Sequence, residues 1–518
     1  MALDPIDLQV VTGALRAACE EMGAVLVRSA HSANIKERRD CSSALFDAAG
    51  EMVMQAEHIP VHLGAMPAAV EAVLGEDHSA GRPWILNDPF RGGTHLPDIT
   101  VVTPVLLGAP GGELLGFAAN RAHHADVGGR VPGSMPADST TLEEEGVVIA
   151  PRVLDDPAID ELVARMRQPD QRRADLRAQL AANRVGARRL GELAERLGAG
   201  ALREATAAVL DYAERRTRAC IAALPGGPRE ARDVLEGIDG ELVLQLVATV
   251  DGDRLILDFA GSAGQHGGNL NCPLAVTRSA AYFAVRVLTD PDVPPSAGAY
   301  RPIEVRVPEG TLLNARPRGS AAPAVAGGNV ETSSRVADLV LAAFGRALGQ
   351  GTMNNLTLGA DGAGGPVSGD RGSAASGTAG FTYYETLGGG QGACPDADGP
   401  SAVHVAMSNT LNTPVEALEL EFPLRVVRHA IRRGSGGAGR RRGGDGLVRE
   451  IEALSPMSYA LITERRRHAP PGAGGGAPGA AGRNLLNGDE LPAKATGELR
   501  PGDRIALETP GGGGHGAP

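Results

Sequence analysis

Apolar and polar positions alternate with different periods along the chain, and the period predicts where helices and strands lie. The opening segment has a helical period, with apolar side chains at Leu8, Val11, Leu15, Met22 and Leu26. Asp4 suits the N-cap of this helix, and Pro5 suits its first turn. The sequence therefore predicts a long helix at the start of the chain.

Between residues 34 and 152 the pattern changes to short apolar runs separated by Gly, Pro, Asp and His. The runs at 99–102 and 114–119 have the length and composition of strands. Glycine, proline and small polar residues between such runs are typical of loops. We therefore expect mixed α and β structure here, with loops that carry function.

The central part of the chain predicts helices followed by a hairpin. Residues 156–224 are rich in Ala, Leu, Arg and Glu, which predicts two or three long helices. Apolar runs at 242–247 and 255–259 then flank Asp251-Gly252-Asp253, and this arrangement predicts a β-hairpin.

The second half of the chain is dominated by glycine-rich loops. Residues 261–429 mix such loops with apolar helices, one of them predicted over 336–348. Beyond residue 432 we expect glycine-rich turns and short strands. The stretches 472–482 and 511–514 are predicted to be the loosest, and the last few residues are expected to fray.

Together these segments place the chain in the α/β class, as a mixed α+β protein of several lobes. A length of 518 residues suggests about three domains at roughly 150 residues each. We divide the chain into an α/β region that carries the candidate cluster, a helical segment, a second mixed region and a glycine-rich β/loop region. Their predicted bounds are 1–155, 156–225, 226–432 and 433–518.

The charge balance excludes a general nucleic-acid binder. The chain has 62 acidic and 50 basic residues and a formal net charge of −12, whereas nucleic-acid binding needs a large basic surface. The only lysines are Lys36 and Lys494. We attribute the excess of arginine to genome base composition rather than to function.

The distribution of cysteines and apolar residues predicts a cytoplasmic protein. The cysteine count of five is odd, the spacings are long and no CxxC motif occurs, which fits a reducing compartment. No run of about 18 apolar residues exists, so no membrane span is expected. The N-terminal residues lack the basic and apolar regions of a signal peptide.

The densest cluster of chemically active side chains predicts a metal site. His95 and Asp98 follow Gly92-Gly93-Thr94, so a curled loop would bring imidazole and carboxylate to one cation. His123, His124 and Asp126 come directly after the strand predicted at 114–119. Mixed nitrogen and oxygen ligands suit Mn, Fe or Zn. The alternative is a set of side chains that only hydrogen-bond to one another.

Three further residues precede this cluster and are candidates for the same site. They are Glu37, His58 and His62. The two histidines have the spacing of one helix face, but Pro60 lies between them, so we interpret them as a loop pair.

Other motifs give weaker signals. No Walker A motif occurs, because neither lysine precedes Ser or Thr, and no GxSxG motif lies in a strand–turn–helix context. The glycines at 388–390 and 511–514 are either anion cradles or flexible turns. Arg440-Arg441-Arg442 and Arg465-Arg466-Arg467 either bind an anion or lie in solvated turns. Cys41 is a possible nucleophile, but Glu37 and Asp40 nearby would raise its pKa rather than activate it.

Several segments, in order over nearly the whole chain, resemble one family. They are Asn34-Ile35-Lys36-Glu37-Arg38-Arg39-Asp40, Asn87-Asp88-Pro89-Phe90, Gly93-Thr94-His95-Leu96-Pro97-Asp98, His123-His124-Ala125-Asp126-Val127-Gly128-Gly129, Gly327-Gly328-Asn329-Val330-Glu331-Thr332-Ser333, Tyr384-Glu385-Thr386-Leu387-Gly388-Gly389-Gly390 and Asn409-Thr410-Leu411-Asn412-Thr413-Pro414-Val415-Glu416. In these segments the chain resembles the hydantoinase B / oxoprolinase family, which includes B-type subunits of ATP-dependent hydantoinases and relatives in acetone-type carboxylases.

The resemblance implies a division of labour between two subunits. An A-type subunit with an actin-like fold uses ATP to phosphorylate the substrate, and the B-type subunit completes hydrolysis or carboxylation, in some members at a bound metal. Carried onto this chain, the metal ligands implied are Glu37, His95, Asp98 and one of His123 and His124. Successive side chains of a strand point in opposite directions, so only one of the two histidines would face the metal.

Further residues of the sequence are candidates for supporting this site. Asp126, His58 and His62 are candidate catalytic residues that would support the ligands or transfer protons. Tyr384 and Glu385 belong to a distal matching segment and would close the site from the other side.

The leading functional hypothesis is therefore the B-type subunit of an ATP-dependent hydrolase. It would open the C–N bond of a cyclic amide such as a hydantoin or 5-oxoproline, within a hetero-oligomer that includes an A-type ATPase. Because no ATP-binding half is found in the sequence, we expect activity to need that partner. The alternatives are a subunit of an acetone- or acetophenone-type carboxylase, which would need bicarbonate, and a non-catalytic assembly subunit.

Overall fold

Helices and sheets of both strand directions build the fold, which confirms the mixed α+β prediction. The computed structural model describes residues 4–108, 110–319, 321–361 and 380–518. No helix within these ranges is both long enough and apolar enough to cross a membrane.

The first sheet and its helices use the N-terminal part of the chain. The elements are α1 (Pro5–Ser29), α2 (Ala33–Lys36), β1 (Cys41–Asp47), β2 (Met52–Glu57), α3 (Ala65–Glu71), β3 (Trp84–Leu86), β4 (Asp98–Leu106), β5 (Leu114–His123) and β6 (Arg152–Val153). Asp4 caps α1 as predicted, because its Oδ1 accepts the N–H of Ile6 at 2.8 Å. The strand order is β2-β1-β5-β4-β3-β6, and neighbours pair antiparallel.

Helices cover both faces of this sheet. The predicted central helices are α4 (Asp156–Val163), α5 (Pro169–Leu197) and α6 (Ala199–Ala222). Leu45 and Ala118 pack under α1 and α5, while Phe46 and Phe117 point to the opposite face, toward α3. Since successive strand residues alternate between faces, both faces of the sheet are apolar and buried.

A second sheet follows the helices. Its elements and the helices near it are β7 (Gly227–Gly237), β8 (Gly240–Asp251), β9 (Arg254–Asp258), α7 (Leu274–Leu288), α8 (Ala297–Tyr300), β10 (Ile303–Arg306) and α9 (Ser333–Ala343). The predicted hairpin is confirmed: β8 and β9 pair antiparallel through a turn at Gly252, whose φ is +60°. The helix predicted over 336–348 begins earlier and ends at Ala343.

Two further sheets pack face to face in the C-terminal part. Their elements are β11 (Asn355–Ala360), β12 (Phe381–Glu385), α10 (Val415–Glu421), β13 (Leu424–Arg432), β14 (Gly446–Ala453), β15 (Met457–Ile462), β16 (Arg483–Leu486), β17 (Asp489–Leu491), β18 (Lys494–Leu499) and β19 (Arg504–Glu508). The strand orders are β12-β11-β15-β18 and β13-β14-β19-β16-β17. Leu358, Tyr459, Ile451 and Leu507 share the apolar core between them.

The glycine-rich stretches form a packed layer, and the prediction that they are loose is wrong. This glycine layer consists of residues 388–392, 436–444, 472–482 and 511–514, joined by backbone hydrogen bonds such as Gly512 N–H to the carbonyl oxygen of Gly444 at 2.9 Å. Residues 511–514 are buried. A Cβ atom at Gly512 would lie 2.0 Å from the carbonyl oxygen of Gln391. Glycine is required because the segments touch backbone to backbone.

Candidate metal centre

Strand register brings the candidate ligands to one edge of the first sheet. Asp98 is the first residue of β4 and lies opposite His123, the last residue of β5. The backbone N–H of His123 also donates to the carbonyl oxygen of Asp40, at 3.0 Å, just before β1 begins. Asp40, Asp98 and His123 therefore meet where the three adjacent strands β1, β5 and β4 begin or end.

The loop before β4 adds His95 to this group. The N–H of Asp98 donates to the carbonyl oxygen of His95 at 3.1 Å, which closes the curl that the sequence predicted. Thr94 Oγ1 donates to Asp98 Oδ2 at 2.7 Å. A Cβ atom at Gly93 would lie 2.1 Å from the carbonyl oxygen of Asn87, so the curl needs glycine there.

His95, Asp98 and His123 have the geometry of a metal-binding group. Nδ1 of His95 lies 3.0 Å from Asp98 Oδ2, and Nδ1 of His123 lies 3.2 Å from Asp98 Oδ1. One potential ligand atom from each residue falls within 4.8 Å of the others. The Nε2 atoms of His95 and His123 are buried and have no hydrogen-bond partner among the described residues. Buried polar atoms are nearly always paired, so these free nitrogens fit a cation ligand.

The electrostatics of the group suit a divalent cation. Burial lowers the pKa of His95, against the opposing charge of Asp98, and so favours the neutral imidazole that binds metals. Burial alone would raise the pKa of Asp98, but His95, His123 and His62 hold it well below its usual range. The site thus offers a neutral imidazole beside a carboxylate that stays charged at neutral pH.

A small cavity lies in front of these side chains. Asp40, His95, Asp98 and His123 line one side of it, and the other lining residues are Ile59, Val61, Asn329, Val330, Met353, Tyr384, Thr386, Met407, Ser408 and Thr410. The space open to the centre of a water-sized sphere is about 20 Å³, roughly enough for one ordered water or ion. The distal segments that resemble the family therefore reach this cavity.

Tyr384 and Glu385 of β12 differ in their relation to this cavity. The ring of Tyr384 stacks on His123, with centroids 4.7 Å apart and planes inclined by 16°. Its hydroxyl donates to Asn355 Oδ1 at 2.6 Å, which anchors the ring. Glu385 points elsewhere and pairs with Arg449 at 3.2 Å.

Of the two adjacent histidines, the structure turns only His123 toward the cavity. His124 lies on the other side of the strand end, where its Nε2 is 3.0 Å from Oε1 of Gln179 on α5. Burial lowers the pKa of His124 to about 4, against the opposing charge of Asp175. The alternation of strand side chains accounts for this split.

The structure does not bring Glu37 into the group, whereas Asp40 lies beside the group on the cavity wall. Glu37 follows α2 and is half-buried, and its charge helps burial to raise the pKa of Glu421 on α10. Asp40 is buried and lines the cavity. Asp40 was not predicted as a ligand, although it lies in the same matching segment as Glu37, immediately before β1.

The three predicted supporting residues lie in different places. His62 lies behind Asp98, with Nε2 3.6 Å from Asp98 Oδ2 and Nδ1 2.9 Å from Ser42 Oγ. His58 does not reach the cavity: its Nδ1 lies 3.2 Å from the carbonyl oxygen of Cys41, and burial lowers its pKa.

Asp126 also lies outside the cavity lining. Its carboxylate accepts the N–H groups of Gly128 and Gly133, each at 2.7 Å, and contacts Arg167 at 3.3 Å. These contacts hold the loop after β5 in place.

The other sequence candidates are engaged in structural contacts. Burial raises the pKa of the Cys41 thiol, so it is a poor nucleophile. Arg465 pairs with Asp233 at 2.7 Å and with Asp338 at 2.8 Å, and Arg442 pairs with Asp445 at 3.0 Å.

A larger groove, of about 590 Å³, lies beside the β7–β8 hairpin and includes Arg466 and Lys494 in its lining. Lys494 Nζ donates to the carbonyl oxygen of Glu236 at 2.7 Å, and Arg466 Nη1 donates to that of Glu464 at 2.7 Å. These two cations are engaged within the protein, so the small cavity is the better candidate site.

Comparison with known proteins identifies the class. Residues 4–518 match the family profile described as Hydantoinase B/oxoprolinase. The chain belongs to this family, which confirms the resemblance seen in the sequence.

Relatives of two lengths share this region. The chain is 37% identical to 5-oxoprolinase 1 of Arabidopsis thaliana over 99% of its own length but 42% of that protein. It thus spans about two fifths of such relatives. It is 31% identical to the B-type subunit of a putative D-/L-hydantoinase from a Pseudomonas species, covering 100% of this chain and 90% of the relative.

Solved structures share the fold. An ATP-dependent caprolactamase from Pseudomonas jessenii superimposes with a TM-score of 0.89 at 28% identity, covering 100% of this chain and 92% of the other. A nucleotide-free ATP-dependent acetone carboxylase gives a TM-score of 0.82 at 19% identity, covering 99% and 76%. At that identity the second likeness shows the fold alone.

Proposed function

We propose that this chain is the B-type subunit of an ATP-dependent amidohydrolase that opens the C–N bond of a cyclic amide. The A-type ATPase would be a separate chain, and substrates of the hydantoin or 5-oxoproline type are favoured. The observation that carries the proposal is the buried group of His95, Asp98 and His123, whose free imidazole nitrogens are suited to a cation. Relatives named as a 5-oxoprolinase and as the B-type component of a hydantoinase support the reaction class.

The residues present fit a divalent metal. His95, Asp98 and His123 would hold it, with Asp40 as a fourth ligand from the cavity wall, and this nitrogen and oxygen set suits Mn, Fe or Zn. When bound, such a cation supplies Lewis-acid polarisation of a carbonyl group and lowers the pKa of water. Asp40 takes the place that the family resemblance gave to Glu37.

The chain's own side chains prepare this site. Burial keeps His95 neutral, and the surrounding imidazoles keep Asp98 charged. His62 supports Asp98 from behind, and Tyr384 holds the ring of His123 by stacking. His95, Asp98 and His123 are buried, and burial strengthens the electrostatic contacts between them.

We favour hydrolysis over carboxylation as the reaction because of the sequence identity to the two kinds of relative. The acetone carboxylase likeness rests on the fold at 19% identity, whereas the proteins named as amide hydrolases are 28–37% identical. A carboxylase would require bicarbonate for turnover and a hydrolase would not.

The ligand assignment is tested with an adjacent pair of variants. We expect His123→Gln to abolish binding of Mn, Fe or Zn, whereas His124→Gln keeps near-stoichiometric metal because its side chain contacts Gln179 instead. The measurement is elemental analysis of protein purified and dialysed in parallel. Equal metal content in the two variants, or none in the parent protein after incubation with each metal, would contradict the assignment.

The function is tested in the assembled complex. Purified chain and A-type partner are assayed for ATP turnover stimulated by hydantoin, 5-oxoproline or ε-caprolactam, without bicarbonate. We expect stimulation by at least one of them, and we expect His95→Ala to assemble normally but lose it. If no cyclic amide stimulates ATP turnover, the proposal is wrong. Undiminished ATP turnover in His95→Ala would favour an assembly role.

A further inference from the structure

Arg38, which lies between α2 and β1, is a buried cation that has no counter-ion among the residues described by the structure. Its side chain is fully buried. Nη2 donates to Thr386 Oγ1 at 2.7 Å and to Thr410 Oγ1 at 3.1 Å. Nε and Nη1 have no hydrogen-bond partner, and no carboxylate pairs with Arg38 among the described residues.

Other fully buried arginines show what is missing at Arg38. Arg172, Arg335, Arg449 and Arg465 each pair with at least one carboxylate. A further one, Arg121, donates to the carbonyl oxygens of Ala65 and Gly92 and to Thr100 Oγ1. Within the described part of the chain, Arg38 has neither a carboxylate nor a carbonyl partner, and its hydrogen bonds go to two neutral hydroxyls. Burying an uncompensated charge is strongly unfavourable, so a further function is needed to explain it.

The two hydroxyls connect Arg38 to the candidate metal cavity. Thr386 and Thr410 both line it, and their Oγ1 atoms lie 2.7 Å apart. One hydroxyl proton is used in this mutual bond, and Nε2 of His404 lies 3.4 Å from Thr410 Oγ1. The ring of Tyr384, which also lines the cavity, lies with its centroid 5.3 Å from Arg38 Cζ.

The distribution of charged side chains around the cavity also indicates that Arg38 lacks a counter-ion among the described residues. Asp40 and Asp98 lie on the metal side, where two carboxylates cancel the charge of a divalent cation. The guanidinium of Arg38, which contacts the lining residues Thr386 and Thr410, then has no carboxylate partner among the described residues. Burial and the charge of Arg38 lower the pKa of His404 to about 3, so this imidazole is neutral and adds no second positive charge beside Arg38.

We propose that Arg38, with Thr386 and Thr410, forms an anion-binding site that receives an oxyanion carried by the substrate. A guanidinium recognises planar or tetrahedral oxyanions with two donors at once. The oxyanion is either a carboxylate of the cyclic amide or the phosphoryl group that ATP-dependent activation adds to it. The proposal deepens the proposed function and rests on it for the identity of the ligand.

Binding is tested first, without turnover. Acetate and inorganic phosphate are titrated by calorimetry into the metal-loaded chain. We expect Arg38→Gln to weaken binding of at least one of them about 10- to 100-fold, as for the loss of a charged hydrogen-bond pair. The matched control is Arg39→Gln, since Arg39 is adjacent but exposed, and it should bind as the parent does. Equal affinity in Arg38→Gln and the parent, or no binding by the parent, overturns the proposal.

Stability of the ligand-free protein separates a binding role from a structural one. Arg38→Gln removes an uncompensated charge, so we expect its melting temperature to equal or exceed that of the parent. A purely structural Arg38 predicts a lower melting temperature with unchanged anion affinity, which would refute the proposal. If Arg38→Gln fails to fold, Arg38→Lys serves instead: it keeps the charge, loses the fork of donors and should still weaken binding at least tenfold.

Kinetics of the complex with its ATPase distinguish the two sources of the oxyanion. If the site takes a substrate carboxylate, Arg38→Gln raises KM for 5-oxoproline about tenfold or more and leaves KM for uncharged ε-caprolactam unchanged. If it takes the phosphoryl group, kcat for amide opening falls with both substrates. Unchanged constants for both substrates overturn the proposal. A complex that turns over no cyclic amide would refute the proposed function, while the calorimetry would still decide the anion site.

Discussion

The pKa of Glu145 tests how burial controls the charge of a side chain near the cavity. Its side chain is fully buried, and its Oε1 accepts the N–H groups of Val325 and Ala326 at 3.1 and 3.0 Å and the hydroxyl of Ser139 at 2.9 Å. Burial raises its pKa from 4.5 to about 7, although the two N–H groups oppose the rise. The chain from Val325 leads directly into the segment whose residues 329 and 330 line the cavity.

The sign of the pH effect follows from the raised pKa. Because the folded protein holds the Glu145 proton more tightly than the unfolded chain, this contribution to stability is complete below pH 4.5 and is lost as pH rises through 7. The loss amounts to about 3 kcal/mol. An unfolding entropy of about 2.1 cal/mol/K per residue gives ~1.1 kcal/mol/K for 518 residues unfolding cooperatively, so the melting temperature should fall by about 3 °C from this group.

Glu145→Gln imitates the protonated acid and should remove this pH dependence. Calorimetric melting temperatures are measured from pH 5 to pH 8 for the parent, for Glu145→Gln and for Glu143→Gln, an exposed glutamate in the same turn. We expect the Glu145→Gln curve to rise relative to the parent by about 3 °C across this range, and the Glu143→Gln curve to run parallel to the parent. A difference between Glu145→Gln and the parent that stays constant with pH, or that has the opposite sign, would refute the reasoning.

Two further predictions concern the same region. Gly93→Ala would place a Cβ atom 2.1 Å from the carbonyl oxygen of Asn87. We therefore expect the free energy of unfolding to fall by about 3 kcal/mol and the metal content to fall with it, as measured by thermal melting and elemental analysis. The control Gly191→Ala meets open space in α5 and should leave both quantities unchanged or slightly improved. Cys41 is buried and its thiol pKa is raised, so we expect iodoacetamide at pH 8 to leave it unmodified in the native protein. The exposed Cys394 should react, and peptide mapping measures both sites. Modification of Cys41 at the rate of Cys394 would show that the site opens freely.

Local patterns predicted the elements with a strong period. The helix that begins at Pro5, the central helices and the hairpin around Gly252 follow from side-chain periodicity and turn residues. The glycine layer was misjudged, because glycine has no side chain from which a packing pattern can be read. Its order depends on close backbone contacts between segments that are distant in the sequence.

Only part of the candidate site could be predicted from the sequence. His95 and Asp98 lie in one loop, so their spacing and the glycines beside them predicted that they meet. The choice between Glu37 and Asp40 depends on the path between α2 and β1, where Arg39 has a φ of +56°. A non-glycine residue in the left-handed region is rare and cannot be read from its type. The unbalanced charge of Arg38 could not be predicted from the sequence either, because it depends on which side chains surround Arg38 in the fold.

The glycine layer also changes how sequence similarity in this family should be interpreted. In the matching segment at 384–390, Tyr384 lines the cavity, whereas a Cβ atom at Gly390 would lie 2.0 Å from the carbonyl oxygen of Gly444. Natural selection will therefore act on the two ends of one motif for unrelated reasons, chemistry at one and steric exclusion at the other. Relatives that lose the reaction can still retain these glycines. Glycines that relatives share at these positions would thus indicate common architecture, and His95, Asp98, His123 and Arg38 are the residues to compare before an activity is transferred between homologues.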